Sequence, residues 1–180
     1  MKSGQAKSRI SIFTIGHSTH PISKFIEVLK VHEIKRIVDV RTIPKSRHNP
    51  QFNSVELEES LRAEGIDYLH MPGLGGLRHA RKDSPNTAWR NASFRGFADY
   101  MQTEEFGINL EKLIEIAHHD RVAIMCAEAV PWRCHRSLIG DALLVRGVDV
   151  LDITGTHSVH PHTLTPWAKV EGTKITYPEG

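Results

Sequence analysis

Cysteine is scarce in this chain, which has only two, Cys126 and Cys134. Long hydrophobic runs are also absent: no segment approaches the roughly 20 apolar residues of a membrane span, and no signal-peptide stretch follows the polar, basic start. We therefore expect a cytoplasmic protein that has no contact with a membrane. Because the cytosol keeps thiols reduced, a structural disulfide is disfavoured, and metal binding or thiol chemistry is the question that the two cysteines raise.

A strong charge of one sign is lacking too, because the formal net charge is only +2. This balance does not by itself indicate a nucleic-acid-binding protein, although basic residues can still be concentrated locally. The composition, 39% hydrophobic and 24% charged, is that of an ordinary globular protein, and 180 residues fit one domain. We expect a flexible N-terminus over residues 1–9, a single domain over 10–170 and a C-terminal tail over 171–180, with largely irregular chain from Thr154 onward.

Five short apolar segments have the character of buried strands, and segments with helical spacing alternate with them. The predicted strands are 10–15, 36–40, 66–71, 122–125 and 148–153, and the predicted helices are 21–31, 54–64, 94–101, 104–117 and 134–146. Strands this apolar cannot leave one face in water. The sequence therefore predicts an α/β fold: a mostly parallel five-stranded sheet with helices on both faces.

Local signals predict where one of these helices begins and where two of them end. Asn53, with Glu56 three residues later, resembles a capping box at the start of the second helix. Gly65 and Gly147 are placed to end the second and the last helix.

In a parallel α/β sheet, ligands bind beyond the carboxyl ends of the strands. Residues capable of binding or chemistry follow every predicted strand. They are His17 and Ser18 after the first, Asp39, Arg41 and Arg47 after the second, Gly75, Gly76 and Arg78 after the third, and Thr154 and His157 after the fifth. After the fourth come Cys126, Glu128, Arg133, Cys134, His135 and Arg136. We expect these side chains to meet at one edge of the sheet.

The fourth connection is the most informative, because Cys126 ends a strand and a helix begins near Cys134. A helix start offers free N–H groups and the positive end of its dipole, which favour an anion or a thiolate, and Arg133 and Arg136 add positive charge. This order is similar to that of cysteine phosphatases and sulfurtransferases. The spacing from Cys126 to Arg133 is one residue longer than the phosphatase pattern, in which Trp132 would hold the arginine's place.

Cys126 is the candidate nucleophile of this connection. His135 or His17 would activate it, and Glu128 would orient the base or act as a general acid. Cys126 could equally be a small core residue, and Cys134 could cap or pack at its helix start.

Zinc is an alternative, because Cys126, Cys134, His135 and His17 supply enough soft and imidazole ligands for a tetrahedral site. Their spacing matches no closed finger or ribbon pattern. His157, His160 and His162 lie in a segment predicted to be irregular and are expected to be solvated.

The remaining candidates would bind the substrate rather than react with it. They are Ser18, Asp39, Arg41, Arg47, Gly75, Gly76, Arg133 and Arg136. Further basic residues lie in the long segment 72–92 and directly after it, where they could hold a phosphate or a polynucleotide backbone or simply be solvated. Gly75 and Gly76 could let the backbone approach a ligand or merely permit a turn. Segments of this length without regular structure are usually functional, and closure as a lid is one option.

The motifs together resemble one family. They are Thr14-Ile-Gly-His17-Ser18, Asp39-Val-Arg41 with Pro44, Ser46, Arg47, Pro50 and Phe52, Leu74-Gly-Gly76, Cys126-Ala-Glu128 and Cys134-His-Arg136. In this order, from about residue 13 to residue 167, they are similar to the prokaryotic family catalogued as domain of unknown function 488. The resemblance implies an α/β cytosolic protein with these positions as its signature, and it implies no particular reaction.

Three hypotheses of different classes follow from the sequence. The leading one is an enzyme that acts through Cys126 on a phosphate-bearing or otherwise anionic substrate, such as a nucleotide. The others are a zinc-binding or redox protein that uses Cys126, Cys134 and His135, and a nucleic-acid-associated module. The sequence identifies no cofactor and no oligomeric state.

Overall fold

One sheet organises the fold, which is taken from a computed structural model that describes residues 9–179. Five strands are parallel and were all predicted: β1 (Ser11–Gly16), β2 (Arg36–Asp39), β3 (Asp67–His70), β4 (Val122–Cys126) and β5 (Asp149–Gly155). A sixth strand, β6 (Ser158–Pro161), pairs antiparallel with β5, and the order across the sheet is β3-β2-β4-β1-β5-β6. The predicted flexible segment 1–9 lies outside the described residues except for Arg9.

Helices cover both faces of the sheet, as predicted, because apolar side chains alternate along each buried strand. In β4, Ala123 and Met125 face the helices α1 (Ile22–Val31) and α2 (Ser54–Arg62), whereas Val122 and Ile124 belong to the core cluster on the opposite face. That second cluster includes α3 (Ala92–Tyr100), α4 (Glu104–His119) and α5 (Arg136–Leu144). The α/β fold class is confirmed, with one strand more than the five expected.

The helix ends agree in part with the sequence signals. Gly65 and Gly147 adopt φ angles of 76° and 80°, the left-handed conformation that ends a helix and that favours glycine. The predicted capping box at α2 is wrong: the Asn53 side chain makes no cap hydrogen bond, because its Oδ1 accepts instead from the backbone N–H of Ser46 at 2.7 Å. That bond fastens the loop after β2 to the start of α2.

The C-terminal part of the chain is more regular than predicted. β5 continues to Gly155, β6 adds to the sheet edge, and β7 (Lys169–Glu171) pairs with β8 (Lys174–Thr176) around Gly172, whose φ is 64°. Irregular chain from Thr154 is therefore a wrong expectation, since the backbone groups find partners within antiparallel pairs. In the segment predicted as a tail, Ile175 and Tyr177 are buried in the core. No helix within residues 9–179 is long and apolar enough to cross a membrane.

Strand register brings the ends of three neighbouring strands to one edge of the sheet. Gly16 at the end of β1 lies opposite Cys126, and Asp39 at the end of β2 lies opposite Met125. The loops that follow β1, β2 and β4 therefore leave the sheet side by side.

Candidate functional site

The two cysteines are in contact at this edge. Cys126 ends β4, Cys134 lies just before α5, and their sulfur atoms are 2.6 Å apart. Both side chains are buried, and neither cysteine forms a disulfide. The chain between them, residues 127–133, is named the cysteine loop. Its ends are thus held together by a sulfur contact that the sequence did not predict.

Arg136 fixes the cysteine loop from beneath. Its side chain is fully buried, with Nε 3.2 Å from the sulfur of Cys126 and with Nη2 donating to the carbonyl oxygens of Glu128 and Ala129, each at 2.9 Å. Its Nη1 donates to the hydroxyl of Thr14 at 3.2 Å. A guanidinium used in this way has no surface left for a substrate, so Arg136 positions the loop rather than lining a binding site.

The local field makes the two thiols unequal. The hydrogen bond from Cys126, assisted by His135 and by the Arg136 backbone N–H, lowers the pKa of Cys134 to about 4 in spite of burial. Burial and the neighbouring Cys134 raise the pKa of Cys126 well above its ordinary value. These shifts favour negative charge on Cys134 over Cys126, and Cys134 lies beside the N-terminus of α5, where the helix dipole acts in the same direction.

His135 is oriented by two backbone carbonyls. Its Nε2 lies 3.1 Å from the carbonyl oxygen of Val40 and 3.0 Å from that of Leu74, so this nitrogen carries a proton and donates it. The other nitrogen, Nδ1, faces the sulfur of Cys134 at 3.6 Å. Gly76 makes room for the ring, because a Cβ at that position would lie 2.7 Å from Nδ1. The predicted pairing of His135 with a cysteine is present, but its partner is Cys134 and not Cys126.

His17 does not reach the cysteines with its side chain. Its Nδ1 bonds the carbonyl oxygen of Ser18 at 2.8 Å, its Nε2 lies 3.4 Å from Arg41, and its ring stacks on Phe52. Burial lowers the pKa of His17 to about 4, so the ring is neutral at pH 7. The structure therefore places His17 as support for Arg41, and it is not positioned to activate Cys126.

Arg41 is held by a buried carboxylate. Its Nε and Nη2 donate to the two oxygens of Asp39 at 2.9 and 2.7 Å, and Nη2 also donates to the carbonyl oxygen of Phe52 at 2.8 Å. Tyr68 donates to the same carboxylate at 2.6 Å, and His70 bonds the carbonyl oxygen of Arg41 at 2.7 Å. Asp39 therefore acts on the site through Arg41, whose side chain is 7% exposed.

The other predicted residues divide between the cysteines' surroundings and the wider rim. Glu128 and Arg133 belong to the cysteine loop, and a Glu128 carboxylate oxygen accepts from the backbone N–H of Val130 at 3.3 Å. Ser18 bonds the backbone of Ala127 at 2.9 Å with its own N–H. A Cβ on Gly75 would lie 2.4 Å from Thr42, so Gly75 makes room for a protein side chain, as Gly76 does. Arg47 is exposed in the loop after β2 and is not among the residues that line the cavity next to the cysteines.

A cavity of about 350 Å³ opens above the two cysteines. We name it the cysteine cavity. Three basic side chains contribute to its walls: Arg41, Lys45 and Arg133. Its other walls come from the turn at Gly76, the start of α3 at Ser93 and Phe94, and the cysteine loop. The cavity therefore brings two contacting cysteines and three basic side chains to one opening.

The segment 72–92 is packed rather than open along much of its length. Leu74 and Asn86 are buried, and Arg78 donates to the carbonyl oxygens of Gly75 and Pro72 while covering the ring of Tyr100. Arg95 likewise donates to the carbonyl oxygen of Trp89. These two arginines hold the segment together through backbone carbonyls, which occupy several of their N–H donors but leave their positive charge in place.

Within residues 9–179, no group of three or more His, Cys, Asp or Glu side chains is arranged to hold a metal ion. His17, one of the four candidate zinc ligands, turns its ring toward Ser18 and Arg41. His162 was expected to be solvated, and this expectation is wrong. Its ring lies between the carboxylates of Asp141 and Asp152, at 3.0 and 3.3 Å.

Sequence reasoning missed the buried polar residues behind the cysteines. Thr14 links Arg136 to Asp152, and Asp152 leads through His162 to Asp141 and the hydroxyl of Tyr177. A threonine and an aspartate in otherwise apolar strands were the available signal, since buried polar groups require partners.

A family model, that of the domain of unknown function DUF488, matches residues 21–143. The match covers more than half of the chain and confirms the resemblance identified from the motifs, although the motif around His17 precedes it. No curated protein and no solved structure is significantly similar to the chain.

Proposed function

We propose that this chain, which belongs to the DUF488 family, is an enzyme that uses the thiols of Cys126 and Cys134 on an anionic substrate held in the cysteine cavity. The observation that carries the proposal is the 2.6 Å contact between the two sulfurs beneath a cavity with three basic side chains. A thiolate is both a strong nucleophile and a group that costs free energy to bury, so its stabilisation at this point favours catalysis over simple packing.

Cys134 is the nucleophile in this proposal, where the sequence alone favoured Cys126. The Cys134 sulfur contacts the Cys126 sulfur at 2.6 Å, accepts from the Arg136 backbone N–H at 3.4 Å and faces Nδ1 of His135. Cys126 accepts from Nε of Arg136 at 3.2 Å, and its sulfur contacts that of Cys134. Its role is to stabilise the thiolate and to supply or receive a proton.

The substrate's charge is inferred from the cavity walls. Lys45 and Arg133 are exposed, and neither forms an ion pair with another residue in the described range 9–179. Arg41 lines the opposite wall, but its charge is paired with the buried Asp39, so Lys45 and Arg133 supply the positive charge available to a substrate. Phosphate or carboxylate groups are the natural partners of cations arranged in this way.

The chemical step is a nucleophilic substitution. The Cys134 sulfur forms a bond to the electrophilic atom of the substrate, and the leaving group departs with the electron pair of the bond that breaks. Water then attacks the same atom, Cys134 leaves as the thiolate, and the proton of water is released.

A second candidate is a dithiol reductase, which the sulfur contact specifically favours. Cys134 would attack one sulfur of a substrate disulfide, and the other sulfur would leave as a thiolate. Cys126 would then attack Cys134 and release the first substrate sulfur, so that the enzyme pair becomes a disulfide and the substrate gains two electrons.

The pH dependence of alkylation by iodoacetamide tests the reactive thiol. We expect one cysteine to react well below the ordinary thiol pKa of about 8.5, and Cys134→Ser to abolish this reaction. Cys126→Ala should keep it but shift its midpoint to higher pH, because the donor to the thiolate is gone. If wild-type protein reacts only with the pH profile of a free thiol, the proposal is wrong.

Protection by inorganic phosphate tests the charge of the substrate. Phosphate should slow alkylation of Cys134 in wild-type protein, and Arg133→Ala should weaken that protection about tenfold or more. The matched control is Arg62→Ala, since Arg62 is an exposed arginine on α2 that does not line the cavity. Equal protection in both variants would contradict an anionic substrate at this position.

Turnover of the variants separates the two candidate reactions once a substrate is found. Nucleophilic substitution needs only the Cys134 thiol, so the Cys126→Ala variant should keep part of this activity. Reduction of a disulfide needs both thiols, so the same variant should lose that activity completely. Protein thiol content after one turnover gives the same distinction, because only the reductase loses two free thiols.

A further inference from the structure

All three tryptophans of the chain line one cavity. Trp89 precedes α3, Trp132 lies in the cysteine loop, and Trp167 lies before β7, so the fold gathers them from distant parts of the sequence. The cavity measures about 470 Å³ and is separate from the cysteine cavity. We name it the tryptophan cavity.

The indole rings present wide apolar surfaces to this opening. Trp132 is 72% exposed and Trp167 is 48% exposed, which is unusual for the largest apolar side chains. Trp89 packs edge-on against Trp167, with ring centroids 5.4 Å apart, and against Tyr177 at 5.5 Å. Trp89 and Trp167 therefore form one side of the cavity, where their rings are held by packing against each other and against Tyr177. Trp132 belongs to the part of the lining that the cysteine loop contributes.

The polar groups of the tryptophan cavity carry little uncompensated charge. Neither lysine nor arginine is among the residues that line it, and its one carboxylate, Asp152, is already bonded by Thr14 and His162. Hydroxyls of Thr154, Thr163 and Thr165 and the imidazole of His160 supply hydrogen-bonding groups at the rim. His162 also lines the cavity, but it lies between the carboxylates of Asp141 and Asp152, so an anion finds no uncompensated cation here and a cation finds no free carboxylate.

We propose that the tryptophan cavity binds a neutral planar heterocycle with hydrogen-bonding edges, of the nucleobase type. Indole faces provide stacking surfaces for such a ring, and the volume lies in the range of small-molecule sites. The hydroxyl and imidazole groups match the donors and acceptors along the ring's edge. An aliphatic ligand would leave these polar groups unpaired.

The two cavities share one structural element. Pro131 and Trp132 face the tryptophan cavity, and Arg133 and Cys134 face the cysteine cavity. The inference stands on the tryptophans alone and does not require thiol chemistry. Uncharged nucleosides are therefore the correct probes, because they test base binding without engaging the basic side chains around the cysteines.

Titration with adenosine, guanosine, cytidine and uridine tests the inference. Tryptophan fluorescence, excited at 295 nm, reports only on this cavity because the chain has no tryptophan elsewhere. We expect saturable quenching by at least one nucleoside, with calorimetry giving the same affinity. Trp132→Ala should weaken that affinity about tenfold or more, and Trp132→Phe should restore part of it, since an aromatic face remains.

Val55→Ala is the matched control, because Val55 is 63% exposed on α2 and lines neither cavity. It should leave nucleoside affinity unchanged. The inference is overturned if no nucleoside binds up to millimolar concentration, if tetramethylammonium or inorganic phosphate quenches more strongly, or if Trp132→Ala binds as wild type does. The rate of alkylation by iodoacetamide is measured on the same variants. It tests the proposed thiol function, whereas nucleoside affinity tests the tryptophan cavity, so failure of one proposal can be told from failure of the other.

Discussion

Nε of Arg136 lies 3.2 Å from the sulfur of Cys126, and the same buried guanidinium holds two carbonyl oxygens of the cysteine loop. Arg136→Lys should therefore uncouple the loop from the sheet. Lysine keeps the charge but cannot reach the carbonyls of Glu128 and Ala129 together, so buried acceptors lose their donors. We expect the free energy of unfolding in urea to fall by about 3 kcal/mol.

Arg62→Lys is the control for this change, because Arg62 is exposed on α2 and forms only an i,i+4 pair with Glu58. It should alter the free energy of unfolding by less than about 0.5 kcal/mol. A loss in Arg136→Lys no larger than in the control would show that the guanidinium does not hold the loop.

Gly16 lies directly beneath the cysteine loop. A Cβ at this position would lie 1.8 Å from the carbonyl oxygen of Glu128, and backbone cannot give way as a flexible side chain does. Gly16→Ala should lower the free energy of unfolding by about 2 kcal/mol or more and should reduce the rate of Cys134 alkylation at low pH. Both readouts are needed, because the loop carries the thiol.

Gly107→Ala is the matched control in α4. A Cβ there meets nothing within 4 Å, and alanine favours a helix over glycine by about 1 kcal/mol. This variant should be as stable as wild type or more stable, with unchanged alkylation. Similar effects at Gly16 and Gly107 would mean that the close approach to Glu128 is not a constraint.

The predictable part of the fold is the part set by local patterns. The five parallel strands and the five helices follow from apolar periodicity, and Gly65 and Gly147 end their helices because they adopt positive φ. The C-terminal strands were missed because β6 and β7 are short and exposed, so their stability depends on pairing partners rather than on their own pattern. The capping box was wrong for a similar reason, because the bond that Asn53 makes depends on another part of the chain. Its Oδ1 accepts from the backbone N–H of Ser46 and not from the start of α2.

The candidate site was predictable in its position but not in its roles. Cys126, Arg41 and His135 do meet at the carboxyl edge of the sheet, as the order of strands and loops implied. The roles depend on which atoms touch: Arg136 turns inward to carbonyls, and His17 turns toward Arg41. Such contacts depend on where the backbone lies to within a few ångströms. A pattern of residue types does not contain that information.

Asp39 should be essential for holding Arg41 in the cavity wall. Its carboxylate is fully buried and makes a two-pronged ion pair with Arg41, so Asp39→Asn leaves a buried guanidinium without its counter-charge. We expect the free energy of unfolding to fall by about 3 kcal/mol or more. Phosphate protection of Cys134 should weaken as well, because Arg41 loses its fixed orientation.

Asp67→Asn on the neighbouring strand β3 is the control. Asp67 pairs with Arg36 at 3.4 Å but is 69% exposed, and exposed pairs contribute little. Its unfolding curve should match that of wild type within about 0.5 kcal/mol. If Asp39→Asn behaves in the same way, the buried pair does not organise the site.

His162 should make stability depend on pH in the alkaline range. Burial alone would lower its pKa, but hydrogen bonds and charge from Asp141 and Asp152 outweigh burial and raise the pKa to about 9. Protonated His162 therefore stabilises the folded state. This contribution, about 3 kcal/mol, is fully present below the ordinary pKa of 6.5, declines as the pH rises and is lost above pH 9.

Urea unfolding of wild type and of His162→Gln at pH 6, 7.5 and 9.5 measures this contribution. The difference between the two proteins should be largest at pH 6 and should shrink by about 3 kcal/mol at pH 9.5, where wild-type His162 is neutral. The two thiols titrate in both proteins, so the difference cancels their effect. His119→Gln serves as the control, because His119 pairs with Glu115 on an exposed helix face, with side chains 73% and 71% exposed. Curves of wild type and His162→Gln that stay parallel from pH 6 to 9.5 would mean that His162 is not charged between the two carboxylates, and Asp141 and Asp152 would then need another source of compensation.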